Sequence, residues 1–132
     1  MIKWGVKFNK ISTILIWSED FQKLADWYKS IFDLKTVDTL NHPQDTGILF
    51  EFPDGGPWIW IGQHSEVKGK SCDPCRIMFN INVDSVGKAY EYLVSKGVKF
   101  VATPFKAPTF DKWFATFEDL DGNYVQIIGP KE

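Results

Sequence analysis

Few side chains here combine type and spacing in a way that could do chemistry. Gln126 stands in Phe117-Glu-Asp-Leu-Asp-Gly-Asn-Tyr-Val-Gln-Ile127, where an Asp-x-Asp-Gly-Asn turn runs into an alternating strand. Such a turn fixes the register of the following strand, and so the direction of Gln126. Cys72 and Cys75 form a Cys-x-x-Cys pair, the spacing of a redox centre or of half a zinc site. Zinc would need two more ligands, and the pair lies in a polar loop, so a structural or incidental role is expected. The two histidines are His42, in the loop-like Asn-His-Pro-Gln-Asp, and His64, just past a strand end. His64 is either a solvated residue or a rim contact able to act as a base. Glu51, between Phe50 and Phe52, is either a solvated carboxylate at a sheet edge or an inward carboxylate that binds a cation. Trp58, Trp60 and Trp113 either fill a concavity or wall one for a flat or cationic ligand. Ser71 and the cysteines have no histidine at a spacing that suggests a nucleophile and its base.

Composition narrows the classes of function. The chain has 132 residues, 44% hydrophobic and 24% charged, enough for one packed domain. A net charge of -2 argues against a nucleic-acid footprint, which needs clustered Lys and Arg. No apolar run approaches the roughly 20 residues of a membrane span. The start, MIKWGVKFNK, lacks the apolar region of a signal peptide, so a cytoplasmic location is expected. Aromatic residues make up 16% of the chain, six of them Trp, which points to an aromatic core or an aromatic-lined cavity.

The elements that must position these residues occur twice. Thr13 to Tyr28 reads as a short apolar strand, an acidic cap and an amphipathic helix. Met78 to Leu93 has the same grammar 65 residues later. Each helix is followed by a strand, Leu34–Val37 and Val98–Val101, and then by a hairpin. The first hairpin is Gly47–Phe52 with Trp58–Ile61 across Pro53-Asp-Gly-Gly56; the second is Trp113–Phe117 with Tyr124–Ile127. The expected fold is therefore α+β, two tandem βαβββ units at about 11–64 and 76–129, forming open cup-shaped mixed sheets within a single domain of residues 1–132.

A doubled βαβββ unit with an Asp-x-Asp-Gly-Asn turn before its last strand resembles the vicinal-oxygen-chelate superfamily. That family holds glyoxalase I, extradiol dioxygenases, and the bleomycin- and fosfomycin-resistance proteins. The resemblance runs over about residues 11–129 and implies that one face of each sheet packs on its helix while the other lines a cup. It also implies that metal-dependent relatives hold a divalent ion with four inward residues drawn from His, Glu and Gln. Carried over, those positions are Thr13, Trp60, Met78 and Gln126, a set without the hard ligands such an ion needs.

Strand alternation assigns the faces. Thr13, Leu15 and Trp17, then Met78, Asn80 and Asn82, and finally Tyr124, Gln126 and Ile128 are expected to line the cup, with Trp58 and Trp60 entering it from the first hairpin. The expected ligand-binding set is Thr13, Trp17, Glu51, Trp58, Trp60, Met78, Asn80, Trp113 and Gln126, with no metal, no cofactor and no catalytic residue. The reading is a small-molecule binding protein similar to the bleomycin-resistance branch, holding a planar apolar or cationic ligand. Its rivals are a lyase, isomerase or dioxygenase-like enzyme with a shifted or absent metal, and an interaction module with a filled cup. Two open sheets, each with free edges, predict a homodimer, and Ile2-Lys-Trp-Gly-Val-Lys-Phe8 alternates so as to add an edge strand.

Overall fold

The computed structural model describes residues 5–132. The first unit comprises β1 (Thr13–Ser18), α1 (Phe21–Phe32), β2 (Lys35–His42), β3 (Asp45–Glu51) and β4 (Trp58–Gln63). The second comprises β5 (Asn80–Asn82), α2 (Val86–Ser95), β6 (Phe100–Lys106), β7 (Trp113–Glu118) and β8 (Tyr124–Gly129). Each unit makes one four-stranded mixed sheet, ordered β1-β4-β3-β2 and β5-β8-β7-β6, with its first strand parallel to its last. The fold is the α+β pair of βαβββ units expected from the sequence. Among the described residues no helix is long and apolar enough to cross a membrane.

Local chemistry sets the helix ends. The Asp20 carboxylate accepts from the Lys23 N–H and the Ser85 hydroxyl from the Lys88 N–H, each meeting a donor that the first helical turn leaves free. The strand β2 runs on to His42, beyond the expected Leu34–Val37, because Pro43 and Gln44 close a tight hairpin into β3. The strand β6 likewise runs through Pro104 to Lys106. It is an edge strand with register shifts, where a missing N–H is tolerated. The strand β5 keeps only three residues of the expected stretch.

One core joins the units. Ile16, Ile59 and Ile61 pack on α1, and Ala115, Val125 and Ile127 belong to the same cluster. An aromatic run crosses the junction from Tyr28 to Phe32 (5.6 Å), Phe117 (6.0 Å), Phe100 (5.5 Å) and Tyr90 (4.7 Å between the last two ring centroids). The Tyr92 hydroxyl donates to the Ile31 carbonyl at 2.8 Å, tying α2 to α1.

The Asp119–Asn123 turn is the second tie. Asp119 is 4% exposed, and its carboxylate accepts from the Asp121 N–H (2.8 Å), the Asn123 N–H (3.0 Å), the Asn123 amide (2.9 Å) and the Tyr28 hydroxyl (2.6 Å). Gly122, at φ +78°, supplies the left-handed step. The segment between β4 and β5 is fastened here as well, with the Ser71 N–H donating to the Asp121 carbonyl at 2.8 Å. Burial raises the Asp119 pKa, and the hydrogen bonds from Tyr28 and Asn123 oppose that rise. The Tyr28 hydroxyl is pushed well above the usual tyrosine range, first by burial and then by the Asp119 charge beside it.

Candidate functional site

Residues opposite one another in a sheet share a face, so the register defines the concave surfaces. In the first sheet Trp60 lies opposite both Leu15 and Leu49, and Gly62 lies opposite Trp17 and Gly47. The intervening Ile59 and Ile61 are buried on α1. In the second sheet Gln126 lies opposite Asn80 and Thr116 while Val125 and Ile127 are buried. Trp60 and Gln126 therefore hold equivalent places in the two units.

Trp60 is the floor of the first concave face. It is only 7% exposed, although it points away from the helix. Gly47 and Gly62 make room for it: a Cβ at Gly47 would come within 2.5 Å of the Trp60 Cζ2, and one at Gly62 within 2.7 Å of its Cε2. Trp17 meets the indole edge to face at 6.3 Å, and His64 meets Trp17 the same way at 5.4 Å. The Trp60 Nε1–H is buried and has no hydrogen-bond partner among the described residues. Buried donors are nearly always paired, so an orphan here asks for an acceptor.

Beside this floor lies an open cleft of about 550 Å³, lined by Trp17, Gln63, His64 and Ser65 on one side and by the β2–β3 turn from Pro43 to Thr46 on the other. The His64 Nδ1 accepts from the Glu66 N–H at 3.1 Å, which leaves Nε2 as the protonated nitrogen of the neutral ring. His64 is thus held at the rim of the concave face. A second cleft, of about 650 Å³, lies where the units meet, between Ile14 of β1, the β3–β4 turn from Phe52 to Pro57, and Asn80 to Asn82 of β5.

The expected residues fall into three groups. Thr13, Trp17, Trp58 and Trp60 share the first concave face, with Thr13 opposite Trp58, which is 40% exposed. Met78, Asn80 and Gln126 belong to the second unit, where the Gln126 amide donates to the Thr116 hydroxyl at 3.1 Å and Asn80 is exposed at the junction cleft. Glu51 is on the first concave face by register, but at its outer edge, 3.6 Å from Lys35 in a partly solvated ion pair. Trp113 corrects the expectation. It has the phase of Ala115 and Phe117, packs on the helix-side core and carries the Lys131 ammonium over its ring at 5.1 Å. It does not wall the cup.

Sequence reasoning passed over the aromatic lining of the second face. Phe105 stacks on Phe114 at 5.7 Å, and Phe110 meets Phe114 edge to face at 5.9 Å. It also passed over Gly47, Gly62 and Asp45. A glycine two residues after a tryptophan on the same strand face was the available signal, because it frees the space into which the ring can lie.

The four positions at which metal-dependent relatives hold an ion do not fit one here. The Trp60 indole offers no lone pair for a metal, Met78 only a soft thioether and Thr13 only a neutral hydroxyl, which leaves the Gln126 amide oxygen as a single hard donor. Among the described residues no group of three or more His, Cys, Asp or Glu side chains could hold an ion.

Comparison with known proteins agrees with this geometry. A family profile described as Glyoxalase/Bleomycin resistance protein/Dioxygenase superfamily matches residues 10–127. The chain belongs to that superfamily. Its fold is similar to that of a glyoxylase/bleomycin resistance protein/dioxygenase domain from Frankia sp. EAN1pec, with a TM-score of 0.77 at 18% identity over 94% of this chain and 99% of that one. A superfamily member from Sphaerobacter thermophilus DSM 20745 gives 0.76 at 18% identity, over 92% and 98%. A glyoxalase I mutant from Zea mays gives 0.71 at 20% identity over 93% of this chain but 46% of that one. These identities speak for the shared fold alone. Among curated proteins the sequence has no significant match.

Proposed function

We propose that this superfamily member is a small-molecule binding protein of the bleomycin-resistance type, which sequesters a planar apolar or cationic ligand on its aromatic concave face. The observation that carries the reading is the buried, unpartnered indole N–H of Trp60 beside a cleft of about 550 Å³. A protein that only filled its cup would gain nothing by burying a donor without an acceptor, since that costs about 1–3 kcal/mol. Trp17 and Trp58 supply partly exposed ring surface and Thr13 shares their face, while Met78, Asn80 and Gln126 offer contacts from the second unit. The mechanism is stoichiometric, with free ligand removed by mass action.

The same reading makes the protein a homodimer. Leu15 at 56% exposure, Phe105 at 39% and Phe110 at 51% leave apolar surface on both sheets that a second copy can cover.

A thermal-shift screen against metals, aromatic drugs and metabolites tests the function. The expected result is a rise in Tm with an aromatic or amine compound that grows with the logarithm of its concentration. Stabilisation by a divalent ion alone, at one ion per chain, would overturn the reading in favour of a metal-dependent enzyme.

A further inference from the structure

Neither concave face uses the Cys-x-x-Cys pair. Cys72 and Cys75 lie between β4 and β5, and both thiols are exposed and free. The segment that carries them is held on both sides. Before the pair, the Ser71 N–H donates to the Asp121 carbonyl at 2.8 Å and the Lys70 ammonium to the Leu120 carbonyl at 3.3 Å, which fixes it to the turn that holds the buried Asp119. Around Cys75, the Arg76 N–H donates to the Asp73 carbonyl at 3.3 Å, and the Arg76 Nε donates to the Asp73 carboxylate at 2.7 Å. Asp73–Arg76 is therefore a β-turn closed twice, with Pro74 at its second position, where the ring-fixed φ suits the turn.

This local fold brings the two thiols within reach of each other. The backbone turns at every residue from Cys72 to Ile77. On so tight a curl, residues three apart have their Cα atoms within about 7 Å. A disulfide spans Cα separations of about 4.4–6.8 Å. Pairing Cys72 with Cys75 thus asks for side-chain rotation and little backbone movement. The Cys72 thiol has only a weak contact to give up, with the Lys70 carbonyl at 3.9 Å. Zinc, the other use of this spacing, lacks its further ligands. No group of three or more His, Cys, Asp or Glu side chains that could hold an ion occurs among the described residues.

We propose that Cys72 and Cys75 are a reversible dithiol–disulfide pair whose reaction partner is a low-molecular-weight disulfide. One cysteine thiolate attacks a sulfur of that disulfide, breaks its S–S bond and releases one thiolate. The other cysteine thiolate then attacks the protein sulfur of the mixed disulfide and displaces the second. Two electrons pass from the protein to the small disulfide, and the two protons of the cysteines end on the two thiols released. Both cysteines are exposed, so the partner can reach either sulfur. The pair uses no residue of the concave faces, and this inference stands or falls apart from the small-molecule reading above.

Equilibration of the full chain with mixtures of glutathione and glutathione disulfide, free of oxygen, tests it. Acid quenching, alkylation and intact mass then count the species. The expected product is a monomeric chain that has lost two hydrogens, with the glutathione adduct a minor species at every ratio. Cys72→Ser and Cys75→Ser should each stop at one glutathione adduct per chain. Closure should be favoured about tenfold or more in the folded chain over the same chain in urea, where the turn that preorganises the thiols is lost. A wild-type chain that stays a dithiol in excess glutathione disulfide, that accumulates adducts without closing, or that links to a second chain would overturn the proposal. So would closure that is equally favourable in urea, since the fold would then contribute nothing to the pair.

Discussion

The two units share one frame and differ at its centre. Ile59 and Ile61 on β4 and Val125 and Ile127 on β8 are buried alike, each pair closing a helix-side core. One position over, the first unit buries an indole on two glycines, whereas the second presents an amide bonded to a threonine. The helix-side residues carry the packing that makes the fold, so their character is held. The concave residues contribute little to the fold and are free to differ in chemistry. Trp60 is an exception that sharpens the point: it is a concave-face residue packed as tightly as the core, yet it retains a polar atom that the packing leaves unmet.

Substitutions at the paired sites measure this asymmetry. Trp60→Ala should cost about 3–5 kcal/mol in urea unfolding, the usual loss for a buried large ring, because Gly47 and Gly62 leave nothing to fill the space. A loss below about 1 kcal/mol would mean that the ring is a mobile wall, on a par with exposed surface sites.

Tyr28→Phe breaks the bond between the units and should cost about 1.5–3 kcal/mol near neutrality, the range for a hydrogen bond to a charged partner. Its pH dependence has a definite sign. Burial raises Asp119 above its unfolded value, so this group's contribution to stability is full below about pH 4 and is lost as pH rises through the folded pKa. Tyr28 partly relieves that loss by donating to the ionised carboxylate. The cost of Tyr28→Phe should therefore be small in acid and grow as Asp119 ionises. Unfolding curves at several pH values check this, and a cost independent of pH would refute it.

The smallest effect is expected at the counterpart of Trp60. Gln126→Ala removes one half-buried hydrogen bond and should cost about 0.5–1.5 kcal/mol. A cost equal to that of Trp60→Ala would erase the distinction between the units.

Most of the frame was legible in the sequence. The repeat, the caps at Asp20 and Ser85, and the phase of Trp17, Trp60 and Gln126 follow from periodicities that a buried face enforces. Trp113 was misjudged because its neighbours in the strand are all apolar or small, so alternation gave no contrast to read. The joining of the units was invisible for another reason. Tyr28 and Asp119 are 91 residues apart, and an Asp in a turn looks the same whether it caps its own loop or receives a distant hydroxyl. The orphan indole N–H was equally out of reach, since only packing in three dimensions decides which polar atoms go unmet.

The central claim is that the first concave face binds a small molecule through the Trp17–Trp60 floor and its cleft. The most direct measurement is a proton–nitrogen correlation spectrum of the indole N–H groups, recorded while titrating the compound that most raises Tm. Trp60→Phe identifies the Trp60 signal by its disappearance. The account predicts a saturable shift of the Trp60 and Trp17 signals, with that of Trp113, on the opposite face of the other sheet, unmoved. Shifts confined to Trp113, or a ligand that saturates the protein without moving Trp60, would contradict it.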